Sequence, residues 1–186
     1  MALEAVGILW TTLLISADLN PVALAPALFV YGLGVGFATA QLTSVVLGDV
    51  PPQESGLASG ANSTLRQVGS ALGIAILGTI LFTTLLSETK TNLAAVPGLP
   101  AVAQAGIAQA IDASAGQALT GFKADPANAA IIRPIEDAFV DAARAAGFGA
   151  LAFVLLGLGL SFLLPASAGR GHGMGEGAAA AAPPAH

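Results

Sequence analysis

The side chains that could do chemistry in this sequence are amides and one arginine, not acid–base pairs. Asn62, Arg66 and Gln67 stand just before the apolar stretch 68–86, and Gln41 lies inside an earlier apolar stretch. In an apolar setting, amide and guanidinium groups can hydrogen-bond a solute or a neighbouring helix. These four residues are therefore candidates for lining a cavity or a gate.

The residue inventory predicts no enzyme, no metal site and no cofactor. The chain has no cysteine, and its two histidines, His172 and His186, lie in a tail rich in Gly and Ala. No nucleophile is paired with a base, and no cluster of metal ligands stands out. The net charge of −5 also argues against nucleic acid as a partner.

Composition indicates an all-α integral membrane protein. Of the 186 residues, 55% are hydrophobic and only 9% are charged, whereas a soluble domain carries about 25% charged residues. A helix of about 20 residues crosses the hydrocarbon core. Four stretches are predicted to do so, within a transmembrane region covering 2–164: residues 2–17, 22–50, 53–87 and 148–164.

Two segments are polar or of low complexity. The connection 88–133 contains apolar residues at helical spacing, which predicts one or two short amphipathic helices at the membrane surface. The tail 165–186 is mostly Gly, Ala and Pro, and it has little to bury. We expect that tail to be disordered.

Small and polar residues share one face of the third predicted helix. At 100° per residue, Asn62 and Arg66 fall on the same stripe as two of its glycines. Glycine allows helix backbones to approach closely in lipid. Packing alone would explain such positions, and gating is the second interpretation. The glycines singled out for packing and gating are Gly32, Gly36, Gly56, Gly60, Gly69, Gly73 and Gly78.

Arg66 has two possible roles. An arginine at mid-bilayer costs at least about 2.5–3.5 kcal/mol on insertion scales, and near the interface it avoids most of that cost by snorkelling. Alternatively, it faces a watery cavity or a partner carboxylate. The carboxylates of Glu4, Asp18 and Asp49 lie near ends of apolar stretches. The chain is thus expected to lack a proton-carrying residue.

Polarity also orders the four helices. The second and third carry the most polar side chains, which predicts an interior position for both. The fourth has only Ser161 between 148 and 164 and is expected to face lipid, and the first is expected to be peripheral.

The segment ESGLASGANSTLRQVGSALGIAILGTIL, residues 54–81, resembles the penultimate helix of the fourteen-helix drug–proton antiporters of the major facilitator superfamily. That branch has the motif L-G-x-x-x-G-x-A-V-x-G-x-L, which reads VGSALGIAILGTI here, with the glycine spacing intact and three apolar replacements. The resemblance implies that the chain holds the last four of fourteen helices, in the C-terminal bundle of a major facilitator fold.

The same resemblance implies a role and a topology. The chain would be a fragment of a proton-coupled multidrug or metabolite efflux permease in the plasma membrane, with helices two and three lining the cavity. The loop 88–133 would lie outside and the tail in the cytoplasm. Implied partners are the lipid bilayer, the missing N-terminal helices, a hydrophobic small-molecule substrate and, in the intact protein, protons. A gene model begun at an internal methionine would also explain the length.

Two other functions remain open from the sequence. The first is a stand-alone four-helix membrane protein that acts as a partner or structural subunit without transport. The second is a secreted amphipathic polypeptide released by signal cleavage, which the later apolar stretches disfavour.

Overall fold

The computed structural model describes residues 1–163 apart from 49 and 52, and it leaves the side chains of 42–48 undescribed. The predicted disordered tail 165–186 lies outside the described residues. The described part is helical, with no strand. Its elements are α1 (Ala2–Leu14), α2 (Pro21–Gly48), α3 (Ser55–Ala94), α4 (Ala101–Ala113), α5 (Ala118–Lys123), a 3-10 turn (Pro126–Asn128) and α6 (Ala129–Ser161).

Three of these helices, α2, α3 and α6, are long and apolar enough to cross a membrane, where the sequence predicted four spans. The 13 residues of α1 extend about 20 Å at 1.5 Å per residue, which is short of the roughly 30 Å hydrocarbon core. The turn to α2 is fixed locally, because the side chain of Asn20 accepts a hydrogen bond from Val22 N at 3.0 Å. Pro21 then begins α2, where its missing N–H costs nothing.

The connection between α3 and α6 is shorter than predicted and is itself helical. α3 continues to Ala94 and α6 begins at Ala129, so the connection covers 95–128 instead of 88–133. It contains two short helices, α4 and α5. The extension of α3 is amphipathic, since Leu85, Thr89 and Leu93 recur every four residues and are all buried. Burial of this stripe sustains helix beyond the apolar stretch.

A hydrophobic core forms where the last turns of α3, the helix α4 and the first half of α6 meet. The spans themselves bury almost nothing within the chain. Their outer surfaces therefore need lipid or further helices to cover them. The buried members of the core are Leu85, Leu93, Ile111, Ile131, Ile135, Ala138 and Ala142.

The three long helices and the short α1 follow one another in space as α2, α1, α6 and α3. α6 therefore packs on both α1 and α3, while large apolar side chains near its end, such as Leu156 and Leu160, remain exposed. Its predicted contact with lipid stays a prediction. Two glycines explain the close packing. A Cβ on Gly147 would overlap the side chain of Thr12, and one on Gly149 would lie 3.1 Å from Leu77 and Ile80. Small residues at these positions let α6 approach both neighbours.

Polar contacts fasten α6 to the α1–α2 turn and to α3. Arg133 donates two hydrogen bonds to the Asp18 carboxylate, at 3.0 and 2.9 Å. Arg144 donates to the carbonyl of Ile15 at 2.7 Å, which satisfies an orphan acceptor at the end of α1. Asn92 donates to the carbonyl of Pro134 at 3.0 Å. These contacts all lie at the end of the bundle that carries the connection.

The Ile135→Ala variant should destabilise the core locally. Ile135 is fully buried, and truncation of such a residue costs about 2–5 kcal/mol. We expect backbone amides of α4 to lose that much protection in hydrogen exchange, because opening of this region exposes them. Val102→Ala, at a highly exposed position of α4, is the matched control and should change protection by less than about 0.5 kcal/mol. Equal protection in both variants would contradict the core described here.

The Asp18–Arg133 contact should be visible in the titration of Asp18. The hydrogen bonds from Arg133, and then its charge, lower the pKa of the Asp18 carboxyl. A lowered pKa means that the contact contributes stability above the ordinary aspartate range, about pH 4. That contribution is lost as the pH falls through the lowered value.

Carbon-13 carboxyl NMR of the chain in lipid nanodiscs measures this pKa directly. Arg133→Gln should return the Asp18 pKa to the ordinary range, and high salt should do so in part, because the pair is exposed to solvent. Lys123→Gln, which removes a cation that pairs with Glu136 instead, should leave it unchanged. An ordinary Asp18 pKa in the wild-type chain would count against the contact.

Candidate functional site

The seven glycines predicted for packing and gating lie on surfaces that nothing in the described part of the chain covers. A Cβ added at any of them would meet no atom within 4 Å. They are Gly32, Gly36, Gly56, Gly60, Gly69, Gly73 and Gly78. Their role in packing stays a prediction, and a partner helix would have to come from outside the described residues.

The four polar candidates share this open setting. Gln41, Arg66 and Gln67 are exposed, and Asn62 is partly buried. Within the described ranges, none of their side chains takes part in a hydrogen bond or an ion pair. The structure thus brings no carboxylate to Arg66 from the described residues. Arg66 therefore keeps both predicted roles: snorkelling near the membrane interface, or facing a watery cavity or a carboxylate of a partner.

Gly32 and Gly36 form the floor of an apolar groove on α2. The walls are large side chains, among them Phe29 and Phe37, and the groove encloses about 600 Å³. Its lining is Leu28, Phe29, Gly32, Leu33, Gly36, Phe37 and Ala40. A floor of glycines between bulky walls is the shape that accepts a ridge of another helix.

The first two-thirds of α3 are exposed on more than one side. Leu57, Leu65 and Ile74 are each more than 70% exposed, and the glycines Gly69 and Gly73 also meet no neighbour. A helix that is apolar nearly all round belongs in a protein interior or in a membrane. Lipid or helices from outside the described residues must therefore surround this segment.

α1 packs on α2 at backbone distance, and this contact positions Glu4. A Cβ on Gly7 would overlap the backbone of Tyr31, and one on Gly34 would overlap the backbone of Glu4. Glu4 is one of the residues that line a space of about 290 Å³ between α1, α2 and α6.

Glu4 and Asp18 lie where the sequence placed them, near the ends of their apolar stretches. Glu4 is in the first turn of α1, where its backbone lies against Gly34 of α2. Asp18 lies at the α1–α2 turn, and Asp49 is outside the described residues.

No group of three or more His, Asp or Glu side chains that could hold a metal ion occurs in the part of the chain that the structure describes. The polar side chains of this part form hydrogen bonds and ion pairs, such as that of Arg133 with Asp18.

Comparison with known proteins gives short but consistent similarities. The chain is 39% identical over 70 residues to the "Probable actinorhodin transporter" of Streptomyces coelicolor, a stretch covering 38% of this chain and 12% of that protein. It is 36% identical over 62 residues to the "Multidrug resistance protein Stp" of Mycobacterium tuberculosis in two strains, covering 33% of this chain and 12% of the relative.

These similarities are confined to a small part of each relative. No protein-family model matches the chain, and no solved structure is significantly similar to it. The names of the relatives are those of transporters and not of enzymes. Together with the apolar helices, they support a membrane-embedded chain with a transport role, as a fragment related to drug-efflux transporters.

Proposed function

We propose that this chain is the C-terminal part of a proton-coupled efflux permease of the fourteen-helix major facilitator branch, which exports hydrophobic drugs or metabolites. The observation that carries the proposal is the similarity to a probable actinorhodin transporter and to a multidrug resistance protein, each matched over only 12% of its length. A full permease contains many more helices than the six described here. The missing helices would supply what this chain leaves uncovered.

The open surfaces of α2 and α3 support this proposal. In the intact permease, the groove floored by Gly32 and Gly36 accepts a helix of the N-terminal part, and α2 and α3 line the central cavity. Gln41 and Asn62 are the candidates for contact with substrate, because both are polar and neither side chain is engaged within the described chain. The connection 95–128 then lies outside the plasma membrane and the C-terminus in the cytoplasm.

The glycines of α3 support an alternating-access mechanism. In this class of transporter, one bundle rocks against the other around a central site. Gly69 and Gly73 keep one side of α3 thin, so that a neighbouring helix can slide along it without a side chain in the way, and Gly78 thins a different side of the same helix. Arg66 and Gln67 lie at the cytoplasmic end of this path, where a gate would close.

The reading frame upstream of the Met1 codon provides the first test. An open frame encoding about ten further apolar helices is expected, because the resemblance implies that this chain is the end of a fourteen-helix protein. Sequencing the genomic DNA on the 5′ side decides this. A stop codon close upstream would favour the stand-alone partner protein instead.

A glycine variant tests the mechanism in the intact permease. Gly73→Leu should reduce efflux about tenfold or more at matched membrane abundance, because overpacking a helix contact costs about 1–3 kcal/mol. Ser161→Ala is the control, since the Ser161 hydroxyl bonds only to the carbonyl of Leu158 in its own helix, at 2.6 Å. Fluorescent-dye efflux from cells measures both variants. Wild-type efflux in Gly73→Leu would refute the sliding role of this glycine.

A further inference from the structure

A polar cleft lies where the α1–α2 turn, the end of α3 and the first half of α6 meet. It encloses about 530 Å³, within the range of roughly 300–1,000 Å³ typical of small-molecule sites. Ser16 and Ala17 of the turn and Asn92 of α3 line it. α6 contributes four charged side chains, those of Arg133, Asp137, Asp141 and Arg144. Charged groups of both signs therefore line one shared space.

Arg133 is already neutralised by carboxylates of the chain. Its Nη1 and Nη2 donate to the two carboxylate oxygens of Asp18 at 3.0 and 2.9 Å. Its Nε lies 3.4 Å from Oδ1 of Asp137. All three nitrogens of the guanidinium thus lie beside carboxylate oxygens, which leaves Arg144 and Asp141 as the charged groups available to a ligand.

Arg144 has fewer acceptors than its guanidinium can use. Its Nη2 donates to the carbonyl of Ile15 at 2.7 Å, whereas its Nε is buried and bonds to no described residue. No carboxylate pairs with Arg144 in the part of the chain that the structure describes. A guanidinium has five N–H donors and binds anions well. The bond to Ile15 holds this group in place, which lowers the entropy cost of binding an anion.

Asp141 is the free charge of opposite sign. It is exposed, and within the described ranges its carboxylate forms no hydrogen bond or ion pair. It precedes Arg144 by three positions, a spacing at which helix side chains are neighbours and opposite charges can pair. The two side chains line the same cleft without pairing. A ligand that carries both an anionic group and a cation would match both charges.

The polar cleft lies at a boundary between charged and apolar sequence. Residues 145–161 carry no charge after Arg144, and residues 5–17 carry none before Asp18. α6 is one of the helices that are long and apolar enough to cross a membrane. Charges are costly in hydrocarbon, so in a membrane-crossing helix such a boundary belongs at the level of the lipid headgroups. Phospholipid headgroups are therefore the most abundant ligands at this cleft.

We propose that the polar cleft binds a phosphate–ammonium zwitterion, the headgroup chemistry of phosphatidylethanolamine. The phosphate pairs with the Arg144 guanidinium, and the ammonium donates a hydrogen bond to the Asp141 carboxylate. A trimethylammonium group has no N–H to donate, so phosphatidylcholine leaves Asp141 without this bond. A headgroup that is only anionic brings no cation to Asp141. Free phosphoethanolamine offers the same two charges without acyl chains. This binding does not depend on the proposed export function.

Native mass spectrometry of the full 186-residue chain, in detergent micelles supplied with one lipid at a time, tests the proposal. The wild-type chain should bind phosphatidylethanolamine about tenfold or more tightly than phosphatidylcholine, because a hydrogen bond to a charged group contributes about that factor. Asp141→Asn should remove this preference. Arg144→Gln should weaken the binding of both lipids by about tenfold or more, because both carry the phosphate.

Matched variants separate a specific site from a general effect of charge. Lys90→Gln and Asp112→Asn each remove one charge that does not line the polar cleft, and both should leave the affinities unchanged. Circular dichroism must show equal helix content in all variants. If Arg144→Gln fails to fold, Asp141→Asn still decides the outcome, because Asp141 is exposed and bonds to no described residue.

Three results would overturn the proposal. They are equal affinity of the wild-type chain for the two lipids, a preference that persists in Asp141→Asn, and binding of phosphatidylglycerol as tight as that of phosphatidylethanolamine. Soluble phosphoethanolamine then distinguishes the source of the zwitterion. If it displaces the lipid from the wild-type chain, the cleft takes the free molecule from water. If it does not, the cleft takes a headgroup from the bilayer.

Discussion

The arrangement of the spans depends on the close approach of α1 to both of its neighbours. α2 and α3 make few contacts with each other, so α1 is the main link between α2 and the rest of the chain. That link rests on Gly7 and Gly34 on one side and Gly147 on the other, where a Cβ would overlap the facing helix. Lipid supplies no hydrophobic drive for helices to associate, so backbone proximity and dispersion must supply the attraction.

The hydrophobic core lies at the end of α3 and α6 that carries the connection. At the connection end, α4 and the helix ends bury Leu93, Ile111 and Ile135 away from solvent, and this burial is favourable in the ordinary way. Along the spans the same residue types remain exposed at no comparable cost, provided that hydrocarbon or other helices surround them. Burial of apolar side chains therefore stabilises the connection end of the chain, whereas close helix packing stabilises the spans.

Much of the fold could be predicted from the sequence, because composition and apolar length are local properties. The membrane class, the helical character and the bounds of α2 follow from them, and α2 ends within two residues of its predicted limits. The end of α3 was placed seven residues too early, because Leu93 is held in helix by tertiary contacts that a hydropathy pattern does not contain. The packing of α6 on two neighbours could not be predicted for the same reason, because it depends on the tertiary contacts of Gly147 and Gly149.

The candidate site was less predictable. The glycines and amides could be selected by residue type, but their partners are absent from the described chain, so no contact in it tests them. The contact of Glu4 with Gly34 could not be predicted either, because it depends on how α1 pairs with α2.

The helical connection also has a consequence for the entropy of the link between α3 and α6. A flexible link would carry the full entropy cost of closing a long loop. Here α4 packs on α3, and Ile111 of α4 shares a buried core with Leu93 and Ile135, so apolar burial offsets part of that cost. The same end of α6 is tied to the α1–α2 turn by Arg133 and Arg144.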